Sequence, residues 1–184
     1  MRWGGRWRWL AMLVAGLLAS CTPPTPAPER VLLANNFEQA PPANVAAGAF
    51  SSDYAHSLSY SVKVGSETEF YPLGQGTWAA LHRPRHLRLH SWAWLPDAQL
   101  RTAHLVVQAN RPSTIPGKSA TVLSRNYLNL CEVIRRYRKW EPATFFVSLP
   151  RELLPTDEIS FFVWVPTHQG KAVYIDDFCV EIID

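Results

Sequence analysis

A surplus of charge of one sign is missing from most of this chain. It carries 18 basic and 15 acidic residues, but Arg2, Arg6 and Arg8 precede Cys21, so the remainder holds 15 of each and is formally neutral. Neutrality removes the basic footprint that nucleic-acid binding requires, and no nucleic-acid partner is expected. A membrane-spanning run is missing too: the unbroken apolar stretch Leu10–Ala19 is about half of the ~20 residues a span needs. Nor is there an internal repeat, a nucleophile elbow, an H-E-x-x-H helix or a phosphate loop. His82, His86 and His90 recur every fourth residue, as metal ligands on a helix would, but Pro84 breaks that helix. Glu67 and Glu69 share one short segment, whereas glycosidase carboxylates face each other across a cleft. Adjacent Asp176 and Asp177 point apart on a strand. A non-enzyme is the expectation.

What is present begins with an export signal. Three arginines, then Leu10–Ala19, then "LASC" (Leu18–Cys21) form a charged start, an apolar centre and a small-residue cleavage site. This stretch resembles the lipobox of bacterial lipoproteins, which implies a signal peptide over residues 1–20 and a diacylglyceryl group on the Cys21 thiol. "TPPTPAPE" (Thr22–Glu29) is a polyproline-like spacer that extends by ~3 Å per residue. Residues 21–30 thus read as a lipidated cysteine with its tether, and 31–184 as one single-core domain. The anchor implies a membrane partner in the bacterial envelope. Thr22, where inner-membrane retention often has aspartate, favours the outer membrane. Cys131 and Cys179 remain as a possible pair; an oxidising compartment permits a disulfide, and two buried thiols are the alternative.

The domain reads as nearly all β. "VLLANNF" (Val31–Phe37) opens it, and "SLSYSVKVG" (Ser57–Gly65) places Leu58, Tyr60, Val62 and Val64 on a core face. Strands follow at His86–Pro96, Ala103–Asn110, Asn126–Ile134, Ala143–Pro150, Glu158–Pro166 and Ala172–Ile183, with Gly/Pro-rich turns between them. Only "LCEVIRRYRKW" suits a helical turn, its basic residues forming a solvated bend. About eight short strands predict an all-β, two-sheet antiparallel sandwich.

In "HLRLHSWAWLP", Leu87, Leu89, Ala93 and Leu95 share one face and Arg88, His90, Trp92 and Trp94 the other. The same parity turns Gln108, Asn110, Phe162 and Trp164 outward on their own strands. Indoles that stack on pyranose rings, with amides and a guanidinium for the hydroxyls, are what sugar binding needs. The alternative is that loops cover these indoles and they serve only packing.

Taken together, "NNFE" (Asn35–Glu38), "AHSLSYSVKV", "SWAW", "LVVQ", "KWEPATFFVSLP", "FFVWV" and the closing "VYIDDFCVEI" resemble the jelly-roll, galactose-binding-like sandwiches that include many carbohydrate-binding modules. The resemblance covers almost all of 31–184. It implies a glycan or polysaccharide partner; the outward parity above supplies Trp92, Trp94, Trp164, Arg88, Gln108 and Asn110 as the carbohydrate-binding set, Trp92 foremost, since the superfamily often has packing aromatics at the Trp94 and Trp164 positions. It also implies a structural Ca2+ held by Glu38 and Asp176, with carbonyls near Asp53–Ser57 completing the shell; the alternative is a loop cap at Glu38 and a bulge at Asp176–Asp177. Leu58 stands where the family often has a turn glycine. A second functional reading is an envelope scaffold or adhesion subunit that contacts another protein through the same sandwich.

Overall fold

The computed structural model describes residues 30–39, 49–65, 67–166 and 170–184. The export signal, Cys21 and the tether up to Glu29 lie outside the described residues. Ten strands and one short helix follow in the order β1 (Val31–Asn35), β2 (Phe50–Ser51), β3 (Ser61–Val64), β4 (Phe70–Thr77), β5 (His86–Trp94), β6 (His104–Arg111), β7 (Thr121–Asn129), α1 (Leu130–Val133), β8 (Trp140–Ser148), β9 (Glu158–Trp164) and β10 (Val173–Ile182). They form two antiparallel sheets. One runs β2-β3-β10-β5-β8 with β1 also on β10, and the other runs β4-β9-β6-β7.

Alternation sets which face each strand buries. Leu87, Leu89 and Ala93 of β5 and Val173, Ile175, Phe178 and Val180 of β10 meet Leu105, Val107 and Ala109 of β6 and Ile159, Phe161 and Val163 of β9. This inner layer is continuous, and each sheet keeps a second face outside it. β10 changes partner midway: Val173–Ile175 pair with β3, and Phe178–Glu181 with β1. The register against β5 slips at that junction, between Asp176 and Cys179, with Asp177 at φ 48°. The Asp-Asp pair is therefore a β-bulge inside the sheet.

Two expectations change, and one left open is decided. The strand expected from Ser57 begins only at Ser61, and Leu58 and Tyr60 point outward, Leu58 being 77% exposed. Leu58 adopts φ 50°, a left-handed turn that lifts residues 52–60 off the sheet, so the alternation there carries no core face. Two strands, β2 and β4, were not apparent in the sequence; β4 hides behind Pro72, Gly74 and Gly76. Cys131 and Cys179 are free thiols, Cys131 on α1 and Cys179 on β10, and burial pushes both thiols up in pKa.

Candidate functional site

The six residues assigned to one sugar face lie on two. Arg88, Trp92 and Trp94 project from β5, on the outer side of the six-stranded sheet, whereas Gln108 and Asn110 on β6 and Trp164 on β9 project from the four-stranded sheet. About 10 Å of core separates the sheets. Strand parity was read correctly; what parity cannot tell is which sheet a strand joins.

On the six-stranded sheet the indoles are covered. The 52–60 loop lays Tyr54 flat on Trp94 (centroids 4.1 Å apart, 23° between planes), and Tyr174 closes its edge at 5.3 Å and 90°. The His56 ring stacks on Trp92 at 3.9 Å and 14°. Arg88 Nε donates to Glu181 Oε2 at 2.5 Å, so its charge is answered within the sheet. The loop itself is pinned by Asp177, which accepts from His56 Nδ1 and from Ser57 Oγ, each at 2.7 Å. Serine and histidine thus both bond the one carboxylate, an arrangement that clips the loop to the bulge. Here the tryptophans are a packing layer.

The outer face of the four-stranded sheet is open toward Phe70 and Tyr127, with Val106 and Phe162 buried at its centre. Its register aligns side chains in four rows across β4, β9, β6 and β7. The first row is Phe70, Trp164, His104 and Asn129; the second is Pro72, Phe162, Val106 and Tyr127. The third is Gln75, Ser160, Gln108 and Arg125; the fourth is Thr77, Glu158, Asn110 and Val122. Two apolar, aromatic rows thus adjoin two polar ones. Phe70 is 46% exposed and Tyr127 62%, too open for residues whose role is core packing. Phe70 tilts against Phe162 at 4.8 Å, and His104 meets Tyr127 edge-on at 5.0 Å. A cleft of about 790 Å³ opens over this face, lined in part by Phe70, Pro72, Phe162, Trp164, Gln108 and Arg125. That volume falls in the ~300–1,000 Å³ range of small-ligand sites.

Polar groups in the cleft are ordered. Arg125 Nε donates to Gln108 Oε1 at 2.5 Å, and Gln108 Nε2 donates to Asn110 Oδ1 at 2.8 Å. Outside the cleft's lining, on the first row, burial lowers the His104 pKa against the opposing pull of Glu132, and its Nδ1 has no hydrogen-bond partner among the described residues. Tyr71, at the floor, is pushed up to about 12 by burial and stays a neutral phenol. Phe70, Tyr127 and Arg125 were missed in the sequence. Phe70 sits on the unread strand β4. β7 begins at Thr121, five residues before the expected start, and Arg125 and Tyr127 alternate along it as a signal that was available.

The proposed calcium ligands are otherwise engaged. Glu38 Oε1 accepts the amides of Ser59 (2.9 Å) and Tyr60 (2.8 Å). Asp176 Oδ2 accepts those of His56 (2.8 Å) and Ser57 (3.0 Å), and its Oδ1 that of Asp177 (2.7 Å). Calcium needs oxygens turned toward it, whereas N–H donors face both carboxylates here. Among the described residues, no group of three or more His, Cys, Asp and Glu side chains is placed to hold a metal. The residues present do not fit the ion. Two separate carboxylates fasten the loop through its amides instead. Asp176 is fully buried, and burial raises its pKa in opposition to those three amides.

No family model matches the chain, and no curated protein matches it. Solved structures do. The N-terminal CBM22-1–CBM22-2 tandem domain of Xyn10C from Paenibacillus barcinonensis aligns at a TM-score of 0.51 and 15% identity, over 83% of this chain and 50% of that one. The CBM22-1 xylan-binding domain of the same protein aligns at 0.48 and 13%, covering 84% and 95%. A family 16 carbohydrate-binding module aligns at 0.48 and 12%, covering 71% and 82%. At these identities the likeness is one of fold: the chain shares the two-sheet jelly-roll sandwich of the CBM22 tandem domain.

Proposed function

We propose that this chain is a lipid-anchored protein of the bacterial cell envelope that binds a glycan, without catalysis, in the cleft over β4, β9, β6 and β7. One observation carries the reading: two aromatic rows abut an ordered Arg125–Gln108–Asn110 amide chain across that open face. Phe70, Trp164 and Tyr127 offer π-faces to the C–H faces of pyranose rings, Phe162 supports Phe70 from beneath, and the third row meets the sugar hydroxyls. The fold shared with a carbohydrate-binding-module tandem is in keeping with it. The anchor reading rests on Leu18–Cys21, and the outer-membrane reading on Thr22.

The test is a polysaccharide panel with the full chain held in mild detergent. Trp164→Ala and Phe70→Ala each weaken binding by about tenfold or more, the loss of a stacking surface worth ~1.5 kcal/mol. Trp92→Ala leaves affinity unchanged. Binding that survives Trp164→Ala and Phe70→Ala contradicts the cleft assignment. No binding to any polysaccharide favours the protein-contact reading. A fatty-acid label that enters the wild-type chain but not Cys21→Ser tests the anchor.

A further inference from the structure

The geometry points to a glycan that carries carboxylates, such as a uronate-bearing polysaccharide, with Arg125 as the residue that selects it. This inference rests on the glycan reading of the cleft and names the class of sugar.

Arg125 is the one formal charge among the residues lining the cleft; the rest are aromatic, aliphatic, amide or hydroxyl. Five other basic side chains are ion-paired: Arg88 with Glu181, Arg111 with Asp157, Arg136 with Glu141, Lys63 with Asp53 and Lys171 with Asp97; of the basic residues without such a pair, Arg125 is the one that lines the cleft. Among the described residues no carboxylate pairs with Arg125. Its Nε is committed to Gln108 Oε1, which fixes the guanidinium plane and leaves the two η nitrogens for a ligand. Gln108 is held in turn by Asn110, so the fork is oriented before any ligand arrives. Glu158 faces the same side one row beyond Ser160 and does not line the cleft, so it leaves the charge unanswered.

A positioned, unpaired guanidinium beside aromatic platforms suits a ligand with an apolar ring face and a planar anion on its edge. A neutral sugar would use the aromatic rows and leave the charge to water. A uronate uses both, and its carboxylate accepts two parallel N–H bonds from the fork.

The test compares one uronate-bearing polysaccharide with the product of its chemical carboxyl reduction, which keeps the backbone and turns each carboxylate into a hydroxymethyl. With the full chain at low salt, the acidic polymer binds about tenfold more tightly than its reduced form, the worth of one charge-assisted contact. Added salt shrinks that ratio. Arg125→Gln brings the ratio near one, while Arg125→Lys, which keeps the charge and loses the fork, retains part of it. Circular dichroism confirms that both variants are folded. Equal affinity for the two polymers, or an unchanged ratio in Arg125→Gln, overturns the inference and leaves the glycan reading standing. Failure to bind either polymer, or any other glycan, overturns both.

Discussion

Leu58 shows how a single residue can act against its surroundings. It holds φ 50° with its side chain in solvent, in a turn fastened by Glu38 on the amides of Ser59 and Tyr60. A left-handed conformation costs an L-residue ~1–2 kcal/mol, and glycine none. Leu58→Gly should therefore raise stability by about 0.5–1 kcal/mol in urea denaturation, after glycine's larger unfolded-state entropy is subtracted. A loss of stability would mean that the exposed leucine makes a contact worth more than its strain. Trp92 is a second residue-scale case. Because His56 stacks on it, Trp92→Ala should cost about 2 kcal/mol of stability, less than the ~3–5 of a fully buried aromatic, with no change in ligand affinity. His90 and His104 are both lowered from the ordinary 6.5, chiefly by burial. Below that pH the unfolded chain takes up protons that the folded one refuses, so stability present above 6.5 is lost on the acid side. Asp176, raised by burial, acts in the opposite sense. Replacing both histidines by glutamine should flatten the fall in melting temperature between about pH 7 and 5. An unaltered slope would place the titrating groups elsewhere.

At the scale of elements, legibility followed the side-chain pattern. β5 announces itself by alternation, and β6, β9 and β10 by β-branched and aromatic runs between turn signals; their inner faces form the core. β4 does not, because "FYPLGQGT" carries a proline and two glycines where propensity predicts a break. Tertiary packing resolves the conflict. β4 is an edge strand, where a proline's missing N–H is tolerated. Gly74 faces inward with a built Cβ only 2.3 Å from Leu33 Cδ2, so the glycine is there to admit β1's leucine. Gly74→Ala should destabilise the sandwich by about 1–3 kcal/mol, and by less when Leu33→Ala has already opened the space. Equal cost in both backgrounds would show that the strand needs glycine for its backbone instead. The unread strand is also the one that brings Phe70 and Pro72 to the cleft. Phe70's part of the aromatic platform was therefore invisible for the same reason.

For the whole molecule, the consequence of two sheets is two outer faces with different fates. The 52–60 loop crosses one, burying Trp94 beneath Tyr54 and partly covering Trp92 with His56. Nothing among the described residues crosses the other in the same way, and it keeps Phe70 and Tyr127 in solvent. The local order "SWAW" drew attention to the covered face, since two indoles one residue apart are conspicuous in a string of letters. The open face is assembled from four strands scattered between Phe70 and Trp164, and only pairing register puts its members together. Of the six residues assigned to sugar, Trp164, Gln108 and Asn110 stand on it. The most direct test of this division is paired: affinity of wild type, Trp164→Ala and Trp92→Ala for whichever polysaccharide binds, with folding monitored in each. The account predicts that Trp164→Ala weakens binding about tenfold or more and that Trp92→Ala binds as wild type. The reverse pattern would place the ligand on the six-stranded sheet and contradict it.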